Sequence, residues 1–437
     1  MRLRGRGEMM KLFRKPEPSR IAPAGLHHFR REGSRMHLRV DPDGSGVLVV
    51  NAASLIRLNS TGADCAWLIL SGMEDREGAA RLARNYGIPR AKALRDFEGF
   101  RRDMEAVIRG ERVVLEVEES PETDPSAPLR ADLALTYRCN VACGHCYKGD
   151  RQVPEMETDR WKEAINRLAD AGIPQVVFTG GESILRDDLE ELVGHAESLG
   201  LITGLLTNGV GLADPSRAQA LRKAGLDYVQ ITLESADPAV HNAMVGADAW
   251  KSTVEGIKNS VAQGFHTVTN TTLCQDNHSG ALSIPAFVAG LGVQAAAFNT
   301  VICSGYTSLG EKSLEDSRLE ALLLELRREC DGAGIRMLWY SPTEYCRIDP
   351  EQLDLGPRRC TAASMNVCVE PDGTVLPCQS WFQGAGNILA DPWNEIWNSA
   401  LFRGIRNRDH LPSKCRECIE FTVCGGGCPL ARGEGKD

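Results

Sequence analysis

Apolar and polar residues change their rhythm twice along the chain, dividing it into three parts. From residue 36, LRV and GVLVVNA read as short strands around the turn DPDGSG. Asn59 or Ser60 is placed to cap a helix through TGADCAWLILSG, and DREGAARLARNYG and PRAKALRDFEGFRRDMEAVI follow as amphipathic helices. EESPETDPSAP, rich in acid, Pro and Ser, reads as a linker. Strand and helix patterns then alternate. ADLALT, QVVFTGG, LITGLLTNG, DYVQITLES, TVTNTTL, AAAFNTVI and IRMLWY are strand-like. Between them, helical segments carry apolar residues on one face, as Trp161, Ile165 and Leu168 do, or Val254, Ile257 and Val261. About six β–α repeats of this kind predict parallel strands covered by helices, closed or partly closed, with ligands at the C-terminal strand ends. After residue 340 the periodicity fades while cysteine and glycine accumulate.

Composition narrows this picture. The chain has 437 residues, of which 42% are hydrophobic and 25% charged, which fits several folded domains. A formal net charge of -9 argues against nucleic acid as a partner. No apolar run has the length of a membrane span, and the basic start MRLRGRGEMMKLFRKPEPSR lacks the apolar segment of a signal peptide. A loose N-terminal tail and a cytoplasmic location are the expectation, with no membrane partner. Fifteen cysteines in a reducing compartment point to metal or catalysis rather than disulfides.

The cysteines are grouped. TYRCNVACGHCY, after the first strand of the alternating region, sets Cys139, Cys143 and Cys146 at C-x3-C-x2-C spacing. Three thiolates so placed can hold three irons of a cubane cluster and leave the fourth iron open. Zinc is the alternative, and would need His145 or a distant group as fourth ligand.

This loop resembles the signature of radical S-adenosylmethionine enzymes. The resemblance implies a [4Fe–4S] cluster on Cys139, Cys143 and Cys146, whose open iron binds S-adenosylmethionine. It also implies an external electron donor such as a flavodoxin or ferredoxin. His145 stands where an aromatic residue is usual. Thr179-Gly180-Gly181-Glu182, one β–α unit later, is similar to the family's glycine-rich motif, expected to meet the methionine ammonium. Asn208 in TNG and Ser235 in ITLES fall where relatives line the cofactor pocket. Glu234 stands in TLE where relatives often have SLD, and Asn270 and Asn299 lie on later strands. No side chain stands out as a general base.

Near the C-terminus, Cys415, Cys418, Cys424 and Cys428 form C-x2-C-x5-C-x3-C, a strong metal pattern. With Cys360 and the Gly373-x4-Cys378 segment it resembles the SPASM domain, which carries up to two auxiliary [4Fe–4S] clusters. The resemblance assigns Cys360, Cys378 and Cys428 to the first cluster and Cys415, Cys418 and Cys424 to the second. The family's last cysteine has no counterpart in PLARGEGKD. The fourth ligand of the second cluster is therefore open, with Asp437, Glu434, Glu420, water or substrate as options. Cys346 and Cys368 compete as fourth ligand of the first, and Cys346 is favoured because Cys368 alternates with apolar residues. Cys65, Cys274, Cys303 and Cys330 read as small buried hydrophobes, with Cys303 nearest a late strand end.

The front segment resembles the precursor-peptide recognition element, a small winged helix with a three-stranded sheet that binds a leader peptide as an added strand. The whole then reads as an α/β protein. A partial (β/α)6 TIM-like barrel is flanked by an N-terminal winged-helix-like domain and a C-terminal cysteine-rich iron–sulfur domain. The expected boundaries are a basic tail over 1–35, the recognition domain over 36–118, a linker over 119–128, the radical barrel over 129–340 and the SPASM-like domain over 341–437. The function this implies is a peptide maturase similar to the pyrroloquinoline-quinone and mycofactocin maturases. It would install a thioether, a C–C or C–O crosslink or an oxidative decarboxylation on a ribosomally synthesised precursor peptide. The alternatives are a radical dehydrogenase or formylglycine-type maturase without a leader, and a non-catalytic metal-stabilised binding protein.

Overall fold

A computed structural model describes residues 20–31, 34–51, 54–109, 125–307 and 312–431. The chain divides into two units, 1–123 and 124–437. Positions 1–19 of the expected tail, positions 119–124 of the expected linker, and Glu434 and Asp437 lie outside the described residues.

In the first unit, β1 (Gly25–Arg31), β2 (Ser34–Val40), β3 (Gly46–Val50) and β4 (Ser54–Leu58) pair in that order as an antiparallel sheet. Strand β1 uses residues that the sequence reading left in the tail, so the sheet has four strands rather than three. None of its residues is fully buried, so it carries no apolar signature, and its pairing with β2 is what makes it a strand. Three helices follow: α1 (Ser60–Leu70), α2 (Asp75–Tyr86) and α3 (Arg90–Ile108). The Asn59 side chain caps α1 by accepting from the Gly62 N–H at 2.8 Å. Met36, Leu38, Leu48, Leu68, Ile69 and Phe97 form a closed core. Phe97 of α3 seats against Gly78 of α2, where a Cβ would lie 2.4 Å from the ring.

The second unit alternates as expected. Its elements run β5 (Arg130–Thr136), α4 (Thr158–Asp170), β6 (Gln175–Gly180), α5 (Leu189–Ser198), β7 (Ile202–Thr207), α6 (Pro215–Ala224) and β8 (Tyr228–Thr232). They continue through α7 (Pro238–Val245), α8 (Trp250–Ala262), β9 (His266–Leu273), α9 (Ile284–Gly290), β10 (Ala295–Thr300), α10 (Asp316–Ala333) and β11 (Arg336–Trp339). Strands β5 to β11 are parallel and adjacent in chain order. Trp161, Ile165 and Leu168 of α4, and Val254 and Ile257 of α8, are buried.

The region after residue 340 is not a separate body. Strand β12 (Asn366–Val369) lies parallel against β5, with Val367 opposite Ala131. Strands β13 (Thr374–Leu376) and β14 (Gly386–Asn387) extend the same sheet in antiparallel sense. Among the described residues β11 and β14 are the ends of this ten-stranded sheet, so it curves as a partial barrel without closing. A buried polar joint secures the junction. The Arg151 guanidinium donates to both oxygens of Glu370, at 2.5 and 2.7 Å, and the Tyr137 hydroxyl donates to the same carboxylate at 2.8 Å. Four short helices complete the chain: α11 (Trp393–Trp397), α12 (Ala400–Arg406), α13 (Ser413–Arg416) and α14 (Phe421–Cys424).

Candidate active site and cysteine sites

Strand β5 ends in Thr136 and delivers the chain into the loop of Cys139, Cys143 and Cys146. All three are free, half-buried thiols. The loop is fastened from several sides. Ala142 N–H donates to Val245 O at 2.9 Å and Gly144 N–H to Met244 O at 3.2 Å, which seats it on the end of α7. Tyr306 N–H donates to Cys146 O at 3.1 Å. Burial, followed by the charges of Glu234, Cys146 and Cys139, pushes the Cys143 thiol up to about 12. Such crowding of thiols is relieved when thiolates share positive metal.

The neighbouring strand end explains the two glycines. Gly181 N–H donates to Thr136 O at 2.7 Å and Glu182 N–H to Arg138 O at 2.8 Å. A Cβ would stand 2.1 Å from Thr136 O at Gly180, whose φ is +133°, and 2.2 Å from Arg138 O at Gly181. Only glycine lets β6 approach the strand that feeds Cys139 this closely.

Glu182 is buried and turned inward. Its carboxylate accepts from Thr207 Oγ1 at 2.9 Å, Asn208 N–H at 2.8 Å and Ile184 N–H at 3.2 Å. Burial raises its pKa, while these three donors oppose the rise. Asn208 Nδ2 in turn donates to Asn140 Oδ1 at 2.6 Å. Thus the TGGE and TNG segments and the cysteine loop form one hydrogen-bonded ring around the strand ends. Asn140 was not singled out from sequence, because an asparagine in a cysteine loop carries no pattern of its own. Thr179 is buried, and its carbonyl accepts from Ser183 Oγ at 2.6 Å. Ser235 is buried too, its hydroxyl accepting from Asp237 N–H at 3.0 Å at the start of α7.

His145, within the loop, has its Nε2 at 3.0 Å from Glu234 Oε1. Glu234 is fully buried and also accepts from Thr272 N–H at 2.8 Å. Asn270 Nδ2 donates to Asn299 Oδ1 at 2.9 Å. The buried Asn270 Oδ1, inside β9, has no partner among the described residues, and an orphaned buried acceptor fits a site built to receive a polar ligand.

In the C-terminal region, Cys378 is pushed up to about 12 by burial first, then by Cys360 and Cys428 nearby. Cys428 reaches about 12 by burial and by Cys360, with Cys303 also acting on it. Cys415 and Cys424 are half-buried, while Cys346 and Cys418 are exposed. Cys346 neighbours Cys424, whose Sγ accepts from Tyr345 N–H at 3.4 Å. Cys368 is fully buried in β12 with Ala134, Tyr137 and Leu376, the core position that its alternating pattern implied. Cys65, Cys274 and Cys330 are buried as well. Among the described residues no three His, Cys, Asp or Glu side chains are gathered to hold one metal ion. Each thiolate of a cubane cluster binds its own iron, so such thiols stand farther apart than the ligands of a single zinc.

Two family models match this chain: the radical SAM superfamily over residues 133–279 and the SPASM iron–sulfur cluster-binding domain over 360–419. A PqqA peptide cyclase from Streptomyces rochei is 30% identical over 318 residues, covering 70% of this chain and 86% of that protein. Streptococcus suis SuiB bound to S-adenosylmethionine is 18% identical with a TM-score of 0.68, covering 90% of this chain and 94% of SuiB. SuiB bound to its precursor peptide SuiA is 16% identical with a TM-score of 0.67, covering 92% of this chain and 96% of SuiB. The thiol loop at the β5 end, the close glycine contact beside it and these matches agree: the chain belongs to the radical SAM superfamily, as an enzyme with a C-terminal SPASM domain.

Proposed function

We propose that this enzyme installs an oxidative modification on a ribosomally made precursor peptide whose leader docks on the first unit. One observation carries the reading. The SuiB structure with the SuiA precursor peptide covers 92% of this chain, which takes in most of the first unit as well as the barrel and the cysteine-rich region. That unit is the winged-helix-like recognition element in this reading. Among the described residues its sheet has β1 and β4 as edges, and an added strand would gain backbone hydrogen bonds there while side-chain pockets select the sequence.

Cys139, Cys143 and Cys146 would hold a [4Fe–4S] cluster, and Thr179, Gly180, Gly181, Glu182 and Asn208 of the hydrogen-bonded ring, with Ser235, would receive S-adenosylmethionine. Together these cofactors supply, on one-electron reduction by a flavodoxin or ferredoxin, a carbon radical that takes an unactivated hydrogen atom. The protein's part is placement. The Glu182 hydrogen bonds hold the strand ends in register with the cysteine loop, and docking of the leader raises the effective concentration of the segment to be modified. The C-terminal cysteines would hold two auxiliary clusters, which would supply the one-electron redox capacity an oxidative outcome needs. The products that follow are a thioether, a C–C or C–O crosslink, or an oxidative decarboxylation.

Anaerobic reduction with S-adenosylmethionine is expected to release 5′-deoxyadenosine, and replacing Cys139, Cys143 and Cys146 by alanine to abolish it. Co-expression with a precursor encoded beside the gene should change the peptide's mass, by loss of two hydrogens for a crosslink. A first unit that binds no such leader, alongside intact cleavage of S-adenosylmethionine, would overturn the peptide reading and favour a substrate without a leader.

A further inference from the structure

Sequence order groups Cys346 with Cys360, the next cysteine along the chain. The fold groups it differently. Residues 343–346, just beyond β11, run along the turn that carries Cys424. The Cys424 sulfur accepts from Tyr345 N–H at 3.4 Å on one side and from Gly426 N–H at 3.3 Å on the other, and lies 3.9 Å from Thr343 O. At Gly427, whose φ is +75°, a Cβ would stand 2.7 Å from Glu344 Cγ, so the two segments are pressed together. Cys346 directly follows Tyr345, whose N–H meets the Cys424 sulfur, and this brings it to the Cys415–Cys424 segment.

The other group is drawn together from elsewhere. Ala363 N–H donates to Pro377 O at 2.9 Å, which sets the Cys360 segment against the Cys378 loop, and a Cβ at Gly425, in the turn leading to Cys428, would stand 3.0 Å from Cβ of Arg359 beside Cys360. Cys303 follows β10, and its neighbour Ser304 donates through Oγ to Ser380 O at 2.9 Å, two residues beyond Cys378. That bond holds the 303–304 segment against the Cys378 loop.

We propose that the eight auxiliary cysteines divide four and four: Cys346 with Cys415, Cys418 and Cys424 at one site, and Cys303 with Cys360, Cys378 and Cys428 at the other. This rests on the reading of these cysteines as iron–sulfur ligands. It supplies the second cluster with a fourth thiolate from the segment after β11, and turns Cys303 from a buried hydrophobe into a ligand. The N–H groups of Tyr345 and Gly426 then serve as hydrogen-bond donors to a ligating sulfur, the kind of contact that tunes cluster potential.

The test uses the full chain with Cys139, Cys143 and Cys146 replaced by alanine, reconstituted anaerobically, so that only auxiliary clusters contribute. This parent should bind about eight irons with matching sulfide, as two cubanes, and show two electron paramagnetic resonance signals on reduction. In it, C346A should remove the signal that C418A removes and spare the one that C378A removes, while C303A does the reverse. C346S, with an oxygen donor in place, should shift its signal while keeping the iron, which a change in packing alone would not do. Loss of the C378A signal in C346A, or two unaltered signals in both C346A and C346S, overturns the assignment of Cys346. Unaltered signals in C303A overturn that of Cys303. A parent that binds no iron would instead remove the cluster reading on which both rest.

Discussion

Glu182 takes a carboxylate out of water and spends it on its own protein. Its oxygens accept from a hydroxyl and two backbone N–H groups, so its role is to position the strand ends, including Asn208 and through it Asn140. Truncation leaves those donors buried without an acceptor, each costing about 1–3 kcal/mol. E182A is therefore expected to lower stability by at least about 2 kcal/mol in urea melts and to weaken S-adenosylmethionine binding in equilibrium dialysis. E182Q, which keeps one acceptor oxygen, should lose less of both. The TGGE motif stands out in the sequence, but the direction of its glutamate does not. A carboxylate one residue beyond a strand can face the ligand or the next strand, and the Thr207 hydroxyl that captures it is 25 residues away.

Between elements, the β5–β6 contact governs the geometry of the cysteine loop. The glycine pair lets two backbones approach to hydrogen-bonding distance just where the chain turns toward Cys139. A methyl group at Gly181 meets the Arg138 carbonyl, which is backbone and cannot swing aside, so G181A must displace the loop. A shift of about 1 Å at a reacting centre costs on the order of 100-fold in rate. The expected outcome for G181A is a loss of that order in 5′-deoxyadenosine formation, read by chromatography, with the helical content unchanged. The alternation of β and α elements was visible in advance because each strand and helix writes its own period into a short window. Strand β1 was not visible, since GLHHFRR lies on an edge and buries no residue fully.

Across the molecule, stability is unevenly sourced. The first unit has a hydrophobic core of its own, with Met36, Leu38, Leu48 and Phe97 at 0% exposure. Helices α13 and α14, by contrast, bury no residue fully, and both carry cysteines proposed as ligands. With the proposed ligands, such a segment would draw its order from bound metal. Stripping iron with a chelator and oxidant should therefore speed tryptic cleavage after Lys414 and Arg416 while leaving residues 54–109 resistant, as mass spectrometry of the fragments would show. Equal loss of protection in both regions would contradict this division. No described helix is long and apolar enough to cross a membrane.

The three-cysteine loop, the β–α alternation and the C-terminal cysteine spacing could all be read from the chain, because each is written within a few residues and depends on local geometry alone. Three features came only with the folded molecule. These are the pairing of β12 with β5, the ring linking Glu182, Asn208 and Asn140, and the company that Cys303 and Cys346 keep. Each joins residues that are distant in sequence, and no local period or spacing records which distant segments will meet. That is settled by how the sheet is ordered and by which backbones can approach one another once it forms.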